Sequence, residues 1–167
     1  MDGIRRVLSQ YEAVLETLDE YRRGNASTES KSRAAGLYDR FSRGNMLLCL
    51  MLAVSVFEVL ENLCTALQVR RTTVSGILQA ASQTMSRLQE MRCDSHFLSL
   101  HEAAENSTTA LCLKVLTLPR QCRPPRRREY TNNDQYMHDS PASYFKTVYL
   151  AACFISLSLV VLAKSLI

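Results

Sequence analysis

Thr147-Val-Tyr-Leu-Ala-Ala-Cys-Phe-Ile-Ser-Leu-Ser-Leu-Val-Val-Leu-Ala-Lys-Ser-Leu-Ile167 is the stretch on which the reading of this chain turns, and it contains one charge, Lys164. It either crosses a membrane or completes a helical core. At about 1.5 Å per helical residue, Thr147 to Ala163 covers roughly 25 Å and the whole stretch roughly 31 Å, against a hydrocarbon core of about 30 Å. The length suffices if Lys164 extends its stem to the far interface. A lysine at mid-membrane costs about 3 kcal/mol on insertion scales, and far less near a helix end. The expectation is a single C-terminal span, with residues 147–167 in the membrane. Because the apolar segment closes the chain, a tail-anchored protein is expected. Lys146 and the arginines upstream place the N-terminus in the cytoplasm by the positive-inside bias.

Just upstream lies a stretch rich in proline and arginine. Arg120, Arg123, Arg126, Arg127 and Arg128 crowd around Pro124-Pro125 and precede the polar run Asn132-Asn-Asp-Gln135. This composition predicts an exposed, extended linker over 118–140. The five arginines are candidate contacts for phosphate or for anionic lipid headgroups. With the two prolines they also fit an import signal, which makes a nuclear location the alternative. Ser140-Pro141 has the form of a helix start, a capping serine followed by proline at the first helical position. The expected organisation is a helical domain over 1–117, the basic linker over 118–140 and a C-terminal apolar helix over 141–167.

Within 1–117 the pattern is helical. Ile4, Val7, Leu8, Tyr11, Val14, Leu15, Leu18 and Tyr21 form one stripe at three-four spacing, predicting a continuous helix over Asp2–Arg22 that ends at Gly24-Asn25-Ala26-Ser27. A shorter helix is expected over Glu29–Phe41, with a break at Arg43-Gly44-Asn45. Met46–Val69 is the most apolar internal run. Only about twelve of its residues are unbroken before Glu58 and Glu61, short of the ~18 that indicate a span, so it reads as a buried central helix. Thr72 or Thr73 caps the next helix, whose stripe is Val74, Ile77, Leu78, Ala81, Met85, Leu88 and Met91. That helix is expected to continue to about Glu105 with a kink at Cys93-Asp94-Ser95, before Asn106-Ser-Thr-Thr109 breaks it. Leu111–Leu118 reads equally as a strand or a helical turn. The sum is an all-α helical bundle of four or five helices.

Composition narrows the chemistry. The chain has 167 residues, 47% of them apolar, a formal net charge of +4, a pI near 8.8, 7% aromatics and no tryptophan. One core is affordable at this size. Nucleic acid is not an expected partner, because a stacking platform needs aromatic rings. The six cysteines, Cys49, Cys64, Cys93, Cys112, Cys122 and Cys153, form no CxxC unit, and the N-terminus lacks an apolar leader. A reducing compartment is expected, so the sequons at Asn25 and Asn106 carry no glycan.

No constellation of an enzyme stands out. Glu12, Glu16, Asp19 and Glu20 fall on solvent faces, whereas metal-assisted phosphoryl transfer needs carboxylates that converge. Glu58 and Glu61 lie beside the apolar run, where amphipathicity explains them. Cys93-x-x-His96 with His101, even joined by Cys122 and His138, lacks the paired spacing of a zinc site. The five glycines are isolated, so no loop cradles a phosphate. No catalytic residue, metal or cofactor is expected.

Three blocks carry a resemblance. The first is Tyr11-Glu-Ala-Val-Leu-Glu-Thr-Leu-Asp19 with Ser32-Arg-Ala-Ala-Gly-Leu37. The second is Ala66-Leu-Gln-Val-Arg-Arg-Thr-Thr-Val-Ser-Gly-Ile-Leu-Gln-Ala80, reaching Leu88-Gln-Glu-Met-Arg92. The third is Leu118-Pro-Arg-Gln-Cys-Arg-Pro-Pro-Arg-Arg-Arg128 with Ser140-Pro-Ala-Ser-Tyr-Phe-Lys-Thr-Val-Tyr149. Together, from about Tyr11 to Tyr149, the chain resembles the helical region of hAT-family DNA transposases, especially the zinc-finger MYM-type 1-like relatives. The resemblance implies a piece of the helical insertion inside a ribonuclease-H-like core. In such enzymes the acidic metal ligands lie on flanking segments, with a zinc finger N-terminal and a dimerisation region C-terminal, and none of these has a counterpart here. After Tyr149 the likeness ends, because family members turn amphipathic where this chain turns apolar. The expected function is therefore a non-catalytic transposase-derived fragment, at most an interaction module that meets a protein partner through its helical faces. The alternative is a soluble nuclear protein that associates with nucleic acid through the arginine cluster.

Overall fold

The computed structural model describes residues 2–25, 27–68, 73–119 and 138–165. Among these residues there are seven helices: α1 (Asp2–Ser9), α2 (Tyr11–Arg23), α3 (Thr28–Phe41), α4 (Gly44–Gln68), α5 (Val74–Glu90), α6 (Asp94–Ala110) and α7 (Pro141–Ser165). The class is all-α. Seven helices replace the expected four or five because two expected continuities are broken. The stripe over Asp2–Arg22 bends at Gln10, which leaves helical geometry at φ −119°, ψ 30°. Cys93 is extended at φ −75°, ψ 149° and starts α6 as its cap residue, so the expected kink is a full break.

A third expectation is corrected further on. Asn106-Ser-Thr-Thr109 does not end the helix, which runs on to Ala110. Thr108 points inward and is buried, and the Thr109 hydroxyl donates back to the Glu105 carbonyl at 3.0 Å. Packing of one face outweighs the weak helix propensity of the four residues. The expected caps are present: Thr73 Oγ1 accepts from the Gly76 amide at 3.2 Å, and Ser140 Oγ from the Ser143 amide at 3.2 Å.

Leu111–Leu118 turns out to be a strap, neither strand nor helical turn. It leaves α6 through Cys112, whose φ of 50° is left-handed. The Leu113 amide closes on the Thr108 carbonyl at 2.9 Å and the Cys112 amide on the Thr109 carbonyl at 3.1 Å, the double bond of a Schellman ending. The strap then pairs with the α3–α4 turn. The Lys114 amide donates to the Ser42 carbonyl and the Gly44 amide to the Lys114 carbonyl, both at 2.8 Å. The Asn45 side chain extends the pairing, giving Nδ2 to the Thr117 carbonyl and taking the Thr117 amide on Oδ1, each at 2.8 Å. Lys114 Nζ also reaches Asp39 at 2.8 Å, and together with Arg43 it holds that carboxyl below the usual range. Gly44 sits where a side chain would not fit: an added Cβ would lie 2.8 Å from Thr108 Oγ1.

The core gathers Leu48, Leu52, Val56 and Leu63 of α4, Ala81 and Leu88 of α5, Phe97 and Ala104 of α6, and Phe145, Tyr149, Cys153 and Val160 of α7. α4 is the central helix, as its apolar run predicts, and α7 shares the same core. α2 and α3 pack on each other, tied by the Tyr11 hydroxyl donating to the Phe41 carbonyl at 2.7 Å. α1 lies on α4, where Arg5 meets Glu58 at 3.0 Å and Glu61 at 3.8 Å.

Candidate functional site: the two faces of the C-terminal helix

α7 has 25 residues and is apolar nearly all round, so it has more apolar surface than one contact can cover. Its inner face follows the helical repeat: Phe145, Tyr149, Cys153 and Val160 are all at least 97% buried. Val148, Phe154, Ile155, Leu159 and Val161 point the other way and are exposed. All five are among the exposed large apolar side chains of the described residues.

The hydroxyls on this helix fit an apolar setting. Thr147 Oγ1 donates to the Ser143 carbonyl and Ser158 Oγ to the Phe154 carbonyl, each at 3.0 Å. A polar group that bonds within its own helix does not need water.

The N-terminal half of α7 carries the polar ties. Lys146 Nζ is 2.8 Å from Asp94 Oδ2, and the Tyr149 hydroxyl is 2.9 Å from His96 Nδ1. The Tyr149 ring also packs near Phe97, with centroids 6.1 Å apart. Farther along, the Arg92 guanidinium lies over the Phe154 ring at 5.8 Å. The partners of the first turns of α7, Asp94 and His96, lie just past the end of α5, and the rest of α7 packs along α5, so α7 runs back over it, antiparallel. Beyond Cys153 the contact is carried by Leu157 and Val160.

α4 and α5 pack along each other and are joined by residues 69–73. Five residues reach at most about 18 Å, less than half the length of a 25-residue helix, so these two helices are antiparallel as well. α4 and α7 therefore point the same way. Both are long and apolar enough to cross a membrane by length and composition, Gly44–Gln68 and Pro141–Leu162; this corrects the expectation that the run from Met46 falls short, because Glu58 and Glu61 interrupt it without lowering its hydropathy below that of a span.

The remaining candidates are separated by the fold. Arg120, Arg123, Arg126, Arg127 and Arg128 lie outside the described residues, as does Cys122. Glu58 and Glu61 are both engaged by Arg5, and Asp19 pairs with Arg22 and Arg23, while Glu12, Glu16 and Glu20 are exposed. Cys93 Sγ sits 3.2 Å from Ser95 Oγ at the start of α6, and that bond, with the His96 amide, lowers its pKa. His96 turns to Tyr149, and His101 turns to Glu105 at 3.6 Å. His138 meets Ser143 and the edge of Tyr144. Among the described residues, no three His, Cys, Asp or Glu side chains gather where a metal could be held. A cleft of 1090 Å³ beside α4 and α5 is lined by polar groups including Glu58, Asn62, Gln79, Gln83, Arg87 and His96.

The inner face of α7 has a signal in the sequence that its overall apolarity hides: Phe145, Tyr149 and Cys153 recur every four residues. Two aromatic rings on one stripe mark a face that packs against protein. No known protein family, curated protein or solved structure matches the chain.

Proposed function

We propose that this chain is a non-catalytic helical fragment of transposase origin, at most an interaction module, held at a membrane by α7 with its N-terminal helices in the cytoplasm. The observation that carries the membrane reading is the outer face of α7, where Val148, Phe154, Ile155, Leu159 and Val161 are exposed together. The shared direction of α4 and α7 supports one span over two. If both crossed, the chain between them would have to cross back, and α5, with Gln79, Gln83, Arg87 and Glu90 along it, makes a poor span. Lys146 at the near end and the arginines before it favour the cytoplasmic side for the N-terminus. The transposase origin rests on the three sequence blocks between Tyr11 and Tyr149. The non-catalytic reading is supported by the scatter of the acidic side chains: Arg5 engages Glu58 and Glu61, Arg22 and Arg23 engage Asp19, and Glu12, Glu16 and Glu20 are exposed.

Alkaline carbonate extraction tests the membrane reading. The full chain, tagged at its N-terminus, is expected to stay with the membrane pellet, and a chain ending at Ser143 to be released. Release of the full chain would refute the reading. Strand cleavage by the purified protein with magnesium or manganese would refute the non-catalytic assignment.

A further inference from the structure

We propose that α7 has two mutually exclusive positions, and that the docked one is a stored form of the membrane segment, sheltered by the bundle until a bilayer takes it up. This rests on the membrane reading above and adds a mechanism to it. A helix spanning alone is surrounded by lipid, yet Phe145, Tyr149, Cys153 and Val160 are buried against the rest of the core. α7 cannot hold both sets of neighbours. Nor can it enter with its partner, because α5 carries Gln79, Gln83, Arg87 and Glu90 beside the open cleft.

The two positions draw on the same driving force. Docking covers the inner face of α7 and leaves Ile155 and Leu159 about 60% exposed to water, at 60% and 62%. A bilayer covers both faces, but its entry uncovers the part of the shared core that α7 packs against, chiefly on α5. In water the docked form wins, since nothing else shields the inner face. Where lipid is present, the outer face supplies the differential interaction that moves the equilibrium. The polar ties are weak enough to yield. Solvent reaches both Lys146 and Asp94, at 37% and 68% side-chain exposure, and such pairs contribute little.

The Lys146–Asp94 pair supplies its own reporter. An amine 2.8 Å from a carboxylate is joined directly by a carbodiimide, and the bond is read as a linked peptide by mass spectrometry. The full chain in buffer is expected to give the 94–146 link. After incubation with phosphatidylcholine–phosphatidylserine vesicles, the carbonate-resistant fraction is expected to have lost it. Asp94→Asn, which leaves the membrane segment untouched, is expected to raise the inserted fraction by about two- to fivefold, the range an exposed pair supports. A link that persists in carbonate-resistant protein would overturn the two-position proposal while leaving the membrane reading intact. Absence of the link in buffer would also overturn it. If no carbonate-resistant protein forms at all, the membrane reading fails and the proposal falls with it.

Discussion

The hydroxyl of Tyr149 lies 2.9 Å from Nδ1 of His96, so the apolar C-terminal helix is fixed to the first turn of α6 by a hydrogen bond. Tyr149 is 1% exposed and its ring is packed on all sides. Replacing it with phenylalanine keeps the ring and removes the bond. Tyr149→Phe is expected to lower stability by about 1 kcal/mol in urea unfolding, the usual value of one such bond. Tyr149→Ala, which also leaves a cavity, should cost about 3–5 kcal/mol. Equal losses for the two variants would show that the ring contributes nothing to the core.

The Schellman ending of α6 places a cysteine where glycine is favoured. Cys112 is left-handed at φ 50°, which strains a residue with a Cβ. Glycine relieves that strain and loses a little through the freer unfolded chain. Cys112→Gly is expected to stabilise the protein by about 0.5–1 kcal/mol, read as a rise in the urea midpoint. A fall in that midpoint would mean the Cys112 side chain has a packing role that its exposure does not show.

Tyr11 gives a prediction in alkaline solution. Burial pushes its phenol up to about 12 from an ordinary value of 10, and its hydroxyl donates to the Phe41 carbonyl. The folded state therefore keeps a proton that the unfolded state gives up first. Its contribution to stability is complete below pH 10 and is lost as pH rises from 10 to about 12. Tyr11→Phe is expected to be less stable at neutral pH and to lose less stability over that window. A variant with the same alkaline slope as the parent chain would refute the assignment.

The outer face of α7 separates folding from membrane attachment. Leu159 is 62% exposed, so Leu159→Arg should leave the thermal midpoint nearly unchanged. Near the middle of a span the same arginine costs about 3 kcal/mol, and the carbonate-resistant fraction should fall sharply. Attachment that survives this change would mean that α7 does not enter lipid at that position.

Much of the fold is legible from spacing alone. The all-α class, the approximate bounds of α3 and α4, the start of α5 at the Thr73 cap and the Ser140-Pro141 start follow from three-four periodicity and cap chemistry. What is not legible depends on distant partners. The strap at Leu111–Leu118 is held by residues near 42–45, and the Asn45–Thr117 pair spans 72 positions. Gln10 breaks the first helix with no glycine or proline to announce it, and Thr108 keeps α6 helical because its side chain is buried. The inner face of α7 is concealed differently. A helix apolar on every side shows no moment from which a buried face can be picked out, so the contact partners of Tyr149 and Cys153 emerge only in three dimensions.

The strap also determines where force enters the molecule. A pull applied at Pro119 meets Thr117 first. There the two bonds to Asn45 and the pair at Lys114 transfer the load to the α3–α4 turn. That turn begins α4, the central helix, so tension is delivered to the centre of the bundle and α6 is bypassed. A load arriving there is taken up by the strap's bonds to the turn, while the helix that leads into the strap stays outside its path.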